Sequence, residues 1–475
     1  MNRIMLAGTG SGCGKTTVTC AALAAFKNIG KNIVAFKCGP DYIDPMFHKK
    51  ALSTDSYNLD VFLMGEENVR YSLWRHGKNT DLCIIEGVMG LYDGIGNGSY
   101  ASSNHLSQIT ETPVVLVVSA KGKSLSLCAE IYGYMNYAKN NIAAVILNNT
   151  SEAMYPFYKD MIEKNLSVEV IGFLPNIPGA QIESRTLGLI PANEIADIQK
   201  KINILAENAA KYIDLEKLSA VSEKANSIEI KYDLLKNIKF KSEYSPKIYI
   251  ANDEAFCFFY EDNHELLRAY GAELRFFSPV HDAELPDDAD GVILWGGYPD
   301  LWAKQLSDNI SMKESIKHKI KSGMPVYAEC GGFIYLQEHL TNLRGETYQM
   351  SGAVKGHAKI TSRLQNFGYA ELTANHDNML CDKNEKINAH SFRYACSDNE
   401  GNAFTAVKKG SKNSSYDYDY DCIIAEDNIF AGYPYIHFGG NTKLAERFVK
   451  ACDKYRNRTK KQNKTERSRT ERRNK

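Results

Sequence analysis

Gly8-Thr-Gly-Ser-Gly-Cys-Gly-Lys15-Thr16-Thr17 decides how the first half of this chain is read. It follows the apolar run Ile4-Met-Leu-Ala7 and precedes a helix-like stretch, Val18 to Phe26. A strand, a glycine-rich turn ending in Gly-Lys-Thr and then a helix is the arrangement that cradles nucleotide phosphates. Backbone N–H groups and the helix N-terminus face the anion, Lys15 neutralises charge, and the Thr16 hydroxyl ligates magnesium. Gly8, Gly12, Gly14, Lys15, Thr16 and Thr17 are therefore the expected ATP contacts. The spacing departs from the usual form: Thr9 stands where the first glycine is customary, and Gly8 lies one residue earlier.

Working outward, Asn32–Phe36, Leu82–Ile85, Pro113–Val118 and Ala143–Leu147 read as buried parallel strands separated by helix-length segments. That pattern predicts a doubly wound α/β sheet with ligands at the carboxyl strand ends. Glu86 closes one of those runs, where an acidic side chain holds a phosphate-bound magnesium. Lys37-Cys-Gly-Pro-Asp41-Tyr42-Ile-Asp44-Pro45 follows another. Its two carboxylates, fixed by prolines and a glycine, suit a metal or a substrate beside the γ-phosphate. Asn148 ends a further strand, where its amide suits an adenine edge; an ordinary turn asparagine is the other reading.

The chain has 475 residues, enough for two or three domains, and 57 basic against 57 acidic side chains. The balance hides an asymmetry. From Lys454 onward there are eleven basic and two acidic residues, so the tail is nine positive and the body nine negative. Thr459 to Arg473 lacks apolar residues and is expected to be disordered and solvated, without nucleic acid as a partner. Eleven cysteines without a Cys-x-x-Cys pair fit a reducing compartment. With no signal segment and no apolar run of bilayer length, a cytoplasmic protein is expected, with no membrane partner.

Residues 1–215 form the first expected domain and 216–246, rich in Lys, Glu and Ser, the linker. A second βα series over 247–453 includes Lys247–Ala251, Glu273–Phe277, Gly291–Trp295 and Met324–Ala328, with Gly352–Val354 and Asn428–Ala431 as later β structure. Tyr416-Asp-Tyr-Asp-Tyr-Asp421 reads as an exposed acidic loop. Within this series Ala328-Glu329-Cys330-Gly331-Gly332 sets a cysteine at a strand-to-helix junction, presenting sulfur at a helix N-terminus that lowers a thiol pKa. Such a nucleophile needs a base. His437, in Tyr435-Ile-His437-Phe-Gly-Gly440, is the candidate. The bare N–H groups of Gly297, in Trp295-Gly-Gly-Tyr-Pro299, and of Gly331 would form an oxyanion hole.

Together these stretches resemble the cobyrinic acid a,c-diamide synthase family, whose first half is similar to dethiobiotin synthetase and whose second half is similar to class I glutamine amidotransferases. The matching residues run in family order: Gly8–Thr17, Gly39–Pro45, Glu86–Gly94, Ser184–Leu189, Ala255–Tyr260, Gly296–Pro299 and Cys330–Gly332. The resemblance implies two doubly wound α/β domains, a P-loop sheet and a glutamine-amidotransferase-like domain. It also implies ATP- and Mg2+-dependent amidation of the a and c carboxylates of a corrin. An acyl phosphate forms first; ammonia from glutamine, released at Cys330, then travels between the domains to displace phosphate. Lys37, Asp41, Tyr42, Asp44 and Arg185 fall where the family handles the substrate carboxylates, and Thr16, Asp41 and Glu86 where it holds metal. A homodimer is compatible with this reading.

Three departures stand out. The family often shows two histidines before the phenylalanine; here the first position is Tyr435, leaving His437 as the candidate base. Its Gly-His-Glu-Phe motif reads Ala389-His390-Ser391-Phe392, and Ala328 replaces a frequent glycine. No carboxylate follows His437 to complete a triad, so free ammonia is an alternative donor. Hydrogenobyrinic acid or a nickel sirohydrochlorin are alternative substrates. A P-loop regulatory ATPase with a non-catalytic second domain is the alternative of a different class; such proteins usually carry a lysine at the position of Gly10.

Overall fold

The computed structural model describes residues 1–180, 184–185, 188–189, 197–231, 233–410 and 419–473. It divides into two units, Met1–Asp233 and Leu234–Lys475. The expected linker is not a separate piece. Its first part is a helix, Leu215–Glu223, capped by Asp214, with Leu218 and Val221 buried in the first core. Leu234, Leu235, Ile238 and Phe240 pack against the second core. Apolar residues three apart outweigh the polar composition around them.

The first unit is built on seven parallel strands: β1 Arg3–Gly8, β2 Ile33–Cys38, β3 Ser56–Leu59, β4 Leu82–Gly90, β5 Val114–Ser119, β6 Ile142–Asn148 and β7 Glu169–Leu174. Their order is β3-β2-β4-β1-β5-β6-β7. β1 lies centrally between β4 and β5, so the loop after it opens at the carboxyl edge of the sheet, where such folds bind ligands. The register sets Glu86 of β4 between Leu6 of β1 and Lys37 of β2. The helix Lys15–Asn28 is buried from Val18 through Phe26, which fixes the phosphate loop onto the core. Ser184–Arg185 and Gly188–Leu189 pair as a two-stranded ribbon; the side chain of Arg185 lies outside the described residues.

The second unit has a sheet in the order Glu273–Phe277, Lys247–Ala251, Gly291–Leu294, Val326–Glu329, Ile429–Gly432 and Ile424–Glu426, antiparallel only at the last pair. Beside it stands a second sheet dominated by the antiparallel strands His357–Ala374 and Lys386–Ser397. Gly352–Val354 is not a strand. Asp419–Cys422 is one, pairing with Phe404–Lys408, so the end of the expected acidic loop is β structure; residues 416–418 lie outside the described residues. The last helix runs Lys443–Arg473 and takes in the segment expected to be disordered. Leu444, Ala445, Phe448 and Val449 anchor its start in the core, and a nucleated helix extends at low cost through Lys, Arg, Glu and Gln. Among the described residues no helix is long and apolar enough to cross a membrane.

Candidate active sites

Each unit carries one site. In the first, the loop after β1 turns through Gly12 and Gly14 at φ of 78° and 96°. A Cβ on Gly14 would stand 1.8 Å from Asn148 Nδ2. Asn148 itself donates to the Cys13 carbonyl at 2.9 Å, bracing the loop. One of its amide N–H groups is thus committed to the loop backbone, because β6 approaches the loop closely. Gly8 lies under the loop, where a Cβ would meet Cys13 Sγ at 2.2 Å. Lys15, 7% exposed, donates to the Gly10 carbonyl at 2.8 Å. Thr17 is half-buried in the first turn of the helix.

Thr16 Oγ1 donates to Glu86 Oε1 at 2.5 Å. Lys37 Nζ donates to Glu86 at 3.1 Å and, more closely, to Asp44. Behind them His48 Nε2 faces Glu86 Oε2 at 3.3 Å, while its Nδ1 meets Ser56 Oγ at 3.2 Å. All of Lys37, Asp44, His48 and Glu86 are buried. Burial works against the Glu86 carboxylate, yet Lys37, His48 and the Thr16 hydroxyl hold its pKa well below the usual range. Asp44 moves the other way, because burial and the charges of Asp41 and Glu86 oppose its ionisation. Lys37 is raised: burial opposes its charge, but Asp44 and Glu86 overcome it. Removing Lys37 would strand two buried carboxylates. Asp41 stands at the rim, half-buried, accepting the Ile43 N–H at 2.8 Å, and Tyr42 caps the next helix with its ring buried. Expected magnesium and substrate residues therefore converge. His48 escaped the sequence reading; its position seven residues after Asp41, on a helix led by Asp44, was the available signal.

In the second unit Cys330 occupies φ 43° and ψ −99° between Val326–Glu329 and the helix Gly331–Leu336. A non-glycine residue in that region is strained, as expected of a nucleophile on a sharp turn. Its N–H donates to Gly432 O at 2.8 Å. Gly331 and Gly297 approach so closely that a Cβ on Gly331 would lie 3.0 Å from Gly297 N. The expected lowering of the thiol pKa does not occur. Burial pushes it to about 11, against hydrogen bonding from Tyr435 and the charge of Arg393.

His437 Nε2 is buried without a hydrogen-bond partner and so makes no hydrogen bond to the sulfur. The groups acting most strongly on the thiol are Tyr435, Arg393, Glu329 and the Gly331 N–H. His437, fully buried, accepts the Gly439 N–H on Nδ1 at 3.0 Å, directs Nε2 toward Asp262 at 4.0 Å and lies on the Tyr260 ring. Burial lowers its pKa to about 4, with Asp262 opposing. His437 is itself extended, at φ −94° and ψ 115°, and the turn Phe438–Gly440 follows it.

Glu329 was also missed, although an acid ending an apolar strand was its signal. It accepts Tyr327 OH at 2.5 Å and Ile436 N–H at 2.9 Å, tying the strand of Tyr435 to that of the nucleophile. Burial raises it from 4.5 to about 8 despite those donors. A raised carboxyl favours the folded state when protonated, so stability is full below pH 4.5 and declines as pH rises toward about 8. The thermal midpoint should fall over that window, by roughly 3 °C per kcal/mol for a unit of this size. Glu329→Gln should flatten the profile; scanning calorimetry across the window checks it, and an unchanged slope would refute it.

Residues 4–186 match the CobQ/CobB/MinD/ParA nucleotide binding domain, and residues 247–443 the CobB/CobQ-like glutamine amidotransferase domain. Fold and sites thus define a P-loop nucleotide-binding unit joined in one chain to a glutamine amidotransferase unit. Over 447 residues the chain is 40% identical to the cobyrinate a,c-diamide synthase of Clostridium tetani, covering 94% of this chain and 98% of that one. It is 39% identical over 459 residues to the enzyme of the same name from Fusobacterium nucleatum, covering 94% and 99%. To that of Caldanaerobacter subterraneus it is 38% identical over 461 residues, covering 95% and 98%. The chain belongs to the cobyrinate a,c-diamide synthase family.

Proposed function

We propose that this chain amidates the a and c carboxylates of cobyrinic acid with ATP as co-substrate, drawing ammonia from glutamine at Cys330. The observation that carries the reading is the presence of two frameworks in one chain: the buried Lys15 and Glu86 with the half-buried Thr16, and the strained Cys330 elbow beside Gly297 and Gly331. A carboxylate is a poor electrophile. One of its oxygens attacks the γ-phosphorus, ADP leaves, and the acyl phosphate is then open to ammonia, which expels phosphate. Loop N–H groups and Lys15 bear the charge of the transferring phosphoryl group. Asp41, Tyr42, Lys37 and Asp44, at the carboxyl end of β2, line up the accepting carboxylate, with Arg185 as a further anchor for an acidic side chain.

The donor set fits magnesium. The Thr16 hydroxyl and an ionised Glu86 are hard oxygen ligands, Glu86 Oε2 is buried with His48 Nε2 3.3 Å away, and Asp41 offers a third oxygen at the rim. Thr16 and Glu86 would hold the ion, directly or through water, and when bound it would neutralise phosphate charge. Lys37 keeps the paired carboxylates of Glu86 and Asp44 compensated beneath it.

Purified protein, ATP and glutamine offered to cobyrinic acid, hydrogenobyrinic acid and a nickel sirohydrochlorin, with products read by mass spectrometry, tests the reading. Two carboxyl-to-carboxamide exchanges on cobyrinic acid are expected. ATP turnover without amidation of any tetrapyrrole would overturn it.

A further inference from the structure

Forming a thioester from glutamine requires two proton movements. The thiol proton must leave as sulfur bonds to the carboxamide carbon, and the departing nitrogen must gain a proton as its C–N bond breaks. Cysteine hydrolases accomplish both with a neutral imidazole within hydrogen-bond reach of the sulfur. Cys330 has a phenol there instead: Tyr435 hydrogen-bonds the thiol. Neither His437 Nε2 nor His390 Nδ1 has a hydrogen-bond partner, the sulfur included, although His390 stands opposite Tyr435 on the neighbouring strand. His437 is turned to Gly439 and Asp262, His264 accepts the Trp295 indole N–H at 3.0 Å, and the His390 ring packs on Phe367 and Tyr369.

Tyr435 is fixed in this position. A Cβ on Gly296 would stand 2.4 Å from its hydroxyl, so the phenol lies on the bare backbone of the oxyanion loop. Its neighbour Ile436 is tied at N–H to Glu329 and at the carbonyl to Asn263 Nδ2, 3.0 Å away. A neutral phenol accepts a proton poorly. Burial and the proximity of Cys330 and Glu329 push its own pKa well above 10, so it does not ionise to become a base.

We infer that Tyr435, in the place of a base, makes glutamine the slower nitrogen donor of this chain and free ammonia the faster one. The inference rests on the amidation reading above and specifies its nitrogen source. Ammonia needs nothing from Cys330. Its lone pair attacks the acyl-phosphate carbon, the bond from that carbon to the phosphate oxygen breaks, and the surplus proton on nitrogen passes to water.

Initial amidation rates with ATP, cobyrinic acid and either glutamine or ammonium chloride at equal concentration give the donor ratio. Ammonia is expected to lead by about tenfold or more, and Tyr435→His to raise the glutamine-to-ammonia ratio by about 10²-fold, the size of a positioned acid–base group. Trapping of Cys330 by a diazo-ketone analogue of glutamine, followed by peptide mass spectrometry, needs neither ATP nor corrin. It should be slow in the wild type and in Tyr435→Phe, and fast in Tyr435→His. Rapid trapping in the wild type, glutamine leading ammonia, or loss of trapping in Tyr435→Phe would overturn the inference. Trapping and the Phe variant decide it even where the His variant fails to fold. Absence of amidation with both donors would count against the amidation reading alone.

Discussion

Lys15→Ala should abolish amidation with glutamine and with ammonia alike, by about 10²–10³-fold or more, as removal of a fixed charge at a transition state does. Lys15 opens the helix Lys15–Asn28 and reaches back along the loop to the Gly10 carbonyl at 2.8 Å. Burial, and less strongly Lys37, lowers its pKa, with Cys13 and Glu86 opposing. Such a cation, little hydrated already, loses little solvation when a phosphate replaces the carbonyl. Activation of the carboxylate precedes nitrogen transfer, so its loss cannot depend on the donor. Alanine suits the helix, and the core contacts of Val18 through Phe26 remain. Circular dichroism should therefore be unchanged while ADP release and product formation vanish. Ammonia-driven product at the wild-type rate would disprove the assignment of the loop to the activating step.

How much of this was legible follows from where the signal resides. Buried parallel strands announce themselves as apolar runs, so β1, β2, β4, β5 and β6 were readable within a residue or two at most ends. β3, Ser56-Tyr-Asn-Leu59, is short, polar and at the sheet edge, and carried no such mark. The long strands His357–Ala374 and Lys386–Ser397 alternate exposed and buried residues over lengths that mimic loops. The alternation at Tyr416–Asp421 was in view, but its acidic content outweighed its period of two, which is the strand signal. Glycine spacing placed the phosphate loop and the cysteine elbow because those turns demand particular residues. Which of Tyr435 and His437 lies against the sulfur depends on Asn263 and Glu329, which fix Ile436 between them from elsewhere in the chain. No local pattern encodes that.

Cys330→Ala is expected to separate the two sites. Alanine retains the Cβ, so the backbone at φ 43° and its N–H to Gly432 keep the conformation that the wild type holds. Only the sulfur is lost. Glutamine-driven amidation should fall to the no-donor background, since nucleophile removal costs about 10³-fold or more where no other group can form the thioester. Ammonia-driven amidation should persist, because its nitrogen never passes through Cys330. Lys15→Ala and Cys330→Ala therefore differ in a qualitative way: one variant loses both donors and the other loses glutamine alone. Steady-state rates with each donor check this directly. Equal loss of both activities in Cys330→Ala would mean that the cysteine unit acts on the activation step, and the division of labour between the two sites would have to be abandoned.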